Sequence, residues 1–154
     1  MKYGVIGAGA MGYRYGVMLQ ENAKVEVDFI DTWKPNVEKV RQQGGVLVSR
    51  DHQNTRLVPV KMFYPEEYQG NPDVWVVFTK QMQLADFLKR TAHCFNEQQY
   101  VLTCMNGMGH VEKLLQHFKP EKLLAGTALV ATVLNGPGNV DFIGARGALS
   151  LIHI

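Results

Sequence analysis

The sequence predicts an α/β domain built on a doubly wound parallel sheet, and three observations predict it. Short apolar runs alternate with amphipathic stretches from the first residues to about position 134. One of these runs, Asp73 to Lys80 (DVWVVFTK), is apolar almost throughout, as strands covered on both faces tend to be. Glycines at 7, 9 and 12 close the first run and open the first amphipathic stretch. Glycine weakens strands and helices alike, so three of them at one strand-to-helix junction need a reason.

Each element follows in order. Lys2 to Ile6 is too short for a helix and is closed by Gly7, so it reads as a buried strand. Ala10 to about Asn22 reads as a helix, with Met11, Tyr15, Met18 and Leu19 on one face. Val25 to Asp31 is a second strand. KPNVEKVRQQGG is a second helix, with Pro35 in its first turn and Gly44 and Gly45 ending it. Val46 to Phe63 breaks the rhythm: VLVS and TRLVPVKMF, separated by the polar RDHQN, predict an antiparallel excursion, and Pro59 puts it at an edge. Beyond strand 73–80 come helix QLADFLKRTAHCF, strand YVLTCMNG, helix HVEKLLQHF and strand KLLAGTALVATVL. NGPGNVDFIG reads as a turn into another short strand. The last residues, RGALSLIHI, offer no cap and no partner element, so the expected organisation is one domain over 1–145 and a non-native or truncated tail over 146–154.

With 154 residues and 46% hydrophobic content, the chain has material for one domain with a substantial core. Its 16 basic and 14 acidic side chains are interspersed, giving a net charge of +2 and no footprint for nucleic acid. Cys94 and Cys104 sit in apolar surroundings without metal-type spacing, which predicts two reduced thiols and a cytoplasmic protein. No stretch reads as a signal peptide or a membrane span.

Gly7-Ala8-Gly9-Ala10-Met11-Gly12 is a G-x-G-x-x-G sequence. Alone it is weak, but here it follows a strand, opens a helix, and is followed about 20 residues on by Asp31 at the end of the second strand. That combination predicts a dinucleotide site. Gly7 permits the tight turn, Gly9 leaves room for a pyrophosphate, and Gly12 allows the helix to pack closely on the strand. The helix N-terminus adds N–H donors for the phosphates. A carboxylate at position 31 can accept ribose hydroxyls and repels a 2′-phosphate, which favours NADH over NADPH; Lys34 is a counterweight that could reach such a phosphate.

Two further residues fall at the ligand edge of the sheet. Lys80 ends the apolar strand, and Asn106 ends the next one, where Gly107 and Gly109 let the backbone turn sharply. Asn106 offers a donor and an acceptor suited to a nicotinamide ribose or a substrate carbonyl. Met105 and Met108 beside Asn106 could floor an apolar ligand pocket, with ordinary core filling as the preferred reading. His52, His93, His110, His117 and His153 make no metal-type pattern, so no metal is predicted.

With GVIGAGAMG, VVFTK and MNGMGHVEKL in these places, the chain resembles the N-terminal domain of the ketopantoate reductase (2-dehydropantoate 2-reductase) family, from Met1 to about Gly144. The resemblance implies a Rossmann-type domain whose loop from Gly7 to Gly12 holds the pyrophosphate of NAD(P)H, with Lys80 and Asn106 as catalytic and cofactor-side residues and a further cofactor contact near Thr132. It implies too that the family's C-terminal helical domain, with its proton-donating lysine and substrate-holding glutamate, is missing here, and that the full-length parent is compatible with a homodimer. Asp31 departs from the basic residue that NADPH-using relatives carry, and in this it is similar to the NAD-dependent D-2-hydroxyacid dehydrogenase branch. The expected activity of the parent is hydride transfer to the keto carbon of a 2-oxo acid, giving a 2-hydroxy acid, with the fragment itself turning over little. A D-2-hydroxyacid dehydrogenase, a non-catalytic dinucleotide-sensing module and a flavin protein stay open as alternatives.

Overall fold

The computed structural model describes residues 1–153, and residues 1–144 with their side chains. Strand β1 (Lys2–Ile6), helix α1 (Ala10–Asn22), strand β2 (Glu26–Ile30) and helix α2 (Lys34–Gln43) fall within a residue of expectation. Pro35 sits in the first turn of α2, where its missing N–H removes no helical bond, and Gly44 ends the helix at φ +79°. After them come β3 (Val46–Arg50), β4 (Gln53–Val58), β5 (Lys61–Phe63), β6 (Val74–Val77), α3 (Leu84–Thr91), β7 (Tyr100–Thr103), α4 (His110–Leu114), β8 (Leu123–Gly136) and β9 (Asn139–His153).

All described strands belong to one sheet, in the order β4-β3-β9-β8-β7-β6-β1-β2-β5. Neighbours run parallel except β3 with β4 and β8 with β9. Successive residues of the inner strands feed opposite layers. Val5, Phe29 and Val76 pack with Tyr13 and Val17 of α1 and Val37 and Val40 of α2, whereas Ile6, Ile30 and Val77 pack with Leu84 and Leu88 of α3 and Leu114 of α4. Each such fully buried aliphatic side chain stabilises the fold by roughly 1.5–3 kcal/mol relative to exposure. The apolar runs are therefore strands with helices on both sides.

Three expectations are corrected. The run TRLVPVKMF is two strands: β4 pairs antiparallel with β3, and β5 pairs parallel with β2 at the other end of the strand order. Pro59 explains the break, since it has no N–H for a ladder and sits between Val58 and Lys61. Because only two residues separate those strands, the two edges of the sheet come within about 11 Å of each other there, so the sheet is strongly curled. Secondly, α3 and α4 are shorter than their periodic stretches, ending at Thr91 and Leu114 and continuing as tight turns such as His117 N–H to Leu114 C=O at 2.9 Å. Thirdly, the strand after the NGPG turn is long: β9 pairs with β8 as far as His153 opposite Leu124, so residues 146–153 do have a partner element. Ile154 lies outside the described residues. No helix among the described residues is long and apolar enough to cross a membrane.

Candidate functional site

The carboxyl ends of β1, β2, β6 and β7 open into a cleft with two lobes. The first, of about 370 Å³, is lined by Gly7, Gly9, Asp31, Thr32, Trp33, Gln83 and Leu134, among others. The second, of about 360 Å³, is lined by Met11, Gln81, Cys104, Met105, Asn106, Ala128 and Val130. Phe78, Thr79 and Lys80 border both lobes, so the two lie side by side. Parallel α/β sheets place ligands at this edge.

The three loop glycines have three different local reasons. Gly7 has φ +91°, and a Cβ there would lie 2.9 Å from the Thr79 backbone nitrogen. At Gly12 a Cβ would lie 1.9 Å from the Gly7 carbonyl oxygen, so only glycine lets α1 approach the loop this closely. A Cβ at Gly9 would meet nothing within 4 Å. Its surroundings are open space at the N-cap of α1, which has no side-chain cap. Free N–H groups and a positive dipole end facing an open concavity suit an anionic group. A pyrophosphate fits this cradle on geometric grounds.

The loop is held from behind. Ala8 N–H donates to Asp31 Oδ2 at 2.7 Å, and Ala8 C=O accepts from Asn36 Nδ2 at 3.0 Å. Asp31 Oδ1 accepts from Trp33 N–H at 2.8 Å. Asp31 lines the first lobe but is only 8% exposed, and burial pushes its carboxyl above the ordinary carboxylate value despite these donors. Lys34, the counterweight to Asp31, is turned to solvent beside Glu38 at 3.6 Å and does not line the lobe.

Of the other expected residues, Lys80 and Asn106 are brought together as rim residues of the second lobe, both exposed. Gly107 and Gly109 have φ +96° and +88°, the sharp turn their positions suggested. Gln81 Nε2 donates to Met108 C=O at 2.6 Å and thereby ties the Lys80 loop to the Asn106 loop. Ala10 and Met11 form the first turn of α1, with Met11 facing the second lobe. Thr132 lines neither lobe; it sits on β8 between Val130 and Leu134, and its Oγ1 accepts from Arg14 at 3.5 Å. Met108, expected in the core, is 91% exposed.

Cys94 and Cys104 carry no disulfide, and burial raises both thiols. Four of the histidines have separate surroundings: His52 against Asp141, His93 on the Tyr68 carbonyl, His110 buried and His117 against Phe95. Among the described residues no group of three His, Cys, Asp or Glu side chains could hold a metal ion.

Sequence reasoning missed Thr32, Trp33, Gln83 and, above all, Asn36. One signal for Asn36 was available: it lies four residues before Val40 on the inward face of α2, a polar side chain at a core position.

Comparison with known proteins agrees with this geometry. A 2-dehydropantoate 2-reductase from Streptococcus pyogenes is 29% identical over 147 residues, 96% of this chain and 46% of that protein. One from Lactococcus lactis is 28% identical over 94% of this chain and 46% of its own length. Among solved structures, D-mandelate dehydrogenase with NADH and anilino(oxo)acetate superposes with a TM-score of 0.91 at 29% identity, over 98% of this chain and 48% of that one. The 2-dehydropantoate 2-reductase of Geobacter metallireducens gives 0.85 at 27% identity, over 99% and 49%. The chain thus spans about half the length of the curated relatives it matches. The profile of the family described as Ketopantoate reductase PanE/ApbA matches residues 3–151, and with that match, its glycine cradle and its paired lysine and asparagine loops, the chain belongs to this family.

Proposed function

We propose that the chain is the dinucleotide-binding half of an NAD(P)H-dependent 2-oxo acid reductase of the 2-dehydropantoate 2-reductase kind. The observation that carries this reading is the open space above Gly9, bounded by a Gly7 and a Gly12 that no other residue could replace without a clash. The names of the relatives support it, since those described are 2-dehydropantoate 2-reductases. In this reading Gly9, Ala10 and Met11 present backbone N–H groups to the diphosphate. A bound reduced nicotinamide supplies a hydride for the keto carbon of a 2-oxo acid. Lys80 offers a cation to a substrate carboxylate or keto oxygen, and Asn106 offers a donor and an acceptor to hold the same groups in line. The proton for the product oxygen comes from an acid of the C-terminal helical domain that the family resemblance implies. Two unbridged thiols support a reducing, cytoplasmic setting.

For the cofactor's 2′ group we favour a hydroxyl, hence NADH. Asp31 lines the first lobe, and a carboxylate with about four acceptor positions has capacity for a ribose hydroxyl beyond the backbone donors it already holds. The D-mandelate dehydrogenase neighbour was solved with NADH, which supports the same choice. Titration of the chain with NADH and NADPH, followed by nicotinamide fluorescence, tests both statements. Tighter NADH binding is expected; no binding of either nucleotide would overturn the function, and NADH binding no tighter than NADPH would overturn the role of Asp31 alone. Mixed with NADH and a 2-oxo acid, the chain should turn over little or nothing, and steady turnover at ordinary enzyme rates would refute the half-site reading.

A further inference from the structure

We infer that Asn36 is the positioning residue of the glycine loop: it orients the Ala8 peptide so that the N–H groups which follow it face the cleft. This rests on the nucleotide-binding reading above. Asn36 is fully buried on α2 and touches four other parts of the chain, the weakest contact being Nδ2 to Asp31 Oδ2 at 3.5 Å. Its Oδ1 accepts from the Tyr13 hydroxyl of α1 at 2.8 Å and from Gly138 N–H, in the turn between β8 and β9, at 2.8 Å. Its Nδ2 donates to Ala8 C=O at 3.0 Å. The amide orientation is fixed by chemistry, because Gly138 N–H can only donate and Ala8 C=O can only accept.

The consequence lies in the peptide groups of Ala8. With its N–H on Asp31 and its C=O on Asn36, both polar groups of the residue between Gly7 and Gly9 are already engaged within the protein. Ala8 is itself fully buried. It is therefore not a phosphate donor, and the cradle reduces to the N–H groups from Gly9 onward. Ile30 holds the Gly7 N–H and Asp31 the Ala8 N–H, but Gly9 resists rotation through no side chain, and the carbonyl of the Ala8–Gly9 peptide is held by Asn36. Asn36 removes that freedom before a ligand arrives, and binding need not order the loop. The turn at Gly138, far away in sequence, takes part because it supplies the second donor that locks the amide.

The test uses ADP, which carries a diphosphate, and adenosine, which does not. Binding can be read from Trp33, 43% exposed and lining the first lobe, since Trp75 is fully buried. Asn36→Ala should weaken ADP by about tenfold while adenosine changes by less than about twofold. Tyr13→Phe removes one donor to the amide and leaves its contact with Ala8, so it should weaken ADP by about threefold with circular dichroism unchanged. Should Asn36→Ala not fold, Tyr13→Phe carries the test. Equal losses for ADP and adenosine, or unchanged ADP affinity in a folded variant, would overturn the positioning role while leaving the nucleotide site standing. If the unaltered chain binds no ADP, the nucleotide reading fails and this inference falls with it.

Discussion

The two lobes of the cleft are similar in size, about 370 and 360 Å³, and differ in how they are held. Around the glycine loop, buried side chains from β2, α1 and α2 fix the backbone: Asp31, Tyr13 and Asn36 are all less than 10% exposed. Around Lys80 and Asn106 the loops are tied by Gln81 to Met108, by Lys113 to the Gln81 carbonyl at 3.3 Å, and by little else that is buried. Met82 and Met108 there are 95% and 91% exposed. A diphosphate is the same charged group in every dinucleotide, so one rigid cradle of N–H donors can serve it. In the proposed reading, chemistry on a substrate needs groups facing Lys80 and Asn106 across the second lobe, and the proton donor among them is assigned to the family's C-terminal domain.

The contrast breaks most sharply within the loop itself. Gly12→Ala puts a Cβ 1.9 Å from the Gly7 carbonyl, against backbone that Ile30 and Asp31 hold in place. Overpacking of this sort costs ~3 kcal/mol, and we expect the thermal midpoint to drop by many degrees or the chain to be insoluble. Gly9→Val is the matched opposite. Its φ of −82° and ψ of −166° are extended backbone that valine adopts readily, and nothing lies within 4 Å of the new Cβ. The midpoint should hold to within about 2 °C while NADH affinity falls at least tenfold, about 1.4 kcal/mol. A Gly9→Val protein that binds NADH as before would show that the open space is not where the diphosphate lies.

Lys80→Ala sharpens the other lobe. The side chain is exposed at the border of both lobes, so its removal should leave stability unchanged and lower NADH affinity about threefold, with a weaker dependence on salt. Unchanged affinity would place Lys80 wholly on the substrate side. A lowered midpoint would mean that the second lobe is more tightly built than its contacts indicate.

Much of the first lobe was legible in the sequence because local rules produce it. A strand, three glycines at set spacings, a helix and an acid fit within about 30 residues, and Gly12 answers to Gly7 within the same loop, although the Thr79 backbone that crowds Gly7 comes from a distant strand end. What could not be read are features made by distant chain. Asp31 was expected to face a ribose, yet its Oδ2 also holds the Ala8 N–H, a contact that exists only once the loop has folded back on β2. Asn36 depends on Gly138, 102 residues away. The division of TRLVPVKMF between opposite edges of the sheet depends on the curl, which no local pattern encodes. Similarly, the length of β9 is set by its partner β8 and not by the propensity of RGALSLIHI.

The smallest expected effect separates buried from exposed electrostatics. On the exposed surface, Glu21, Glu66 and Glu67 pair with Arg56, Arg90 and Arg41, and each carboxyl lies below its ordinary value because of that arginine. Such groups favour the fold above pH 4.5, and their contribution is lost as pH falls through their lowered values. Asp31 has the opposite sign. Raised by burial, it holds its proton more tightly in the folded chain, so its contribution favours the fold at low pH and declines as pH climbs through the raised value. Salt screens the exposed pairs and leaves the buried carboxyl nearly untouched. The thermal midpoint between pH 6 and pH 3 should therefore fall at low ionic strength, and fall less at about 1 M salt, where the exposed pairs are screened. Replacing Glu21 with Gln should flatten the low-salt curve slightly and leave the high-salt curve as it was. An acid loss equally steep in both salts would mean that the exposed pairs contribute nothing measurable to the acid response.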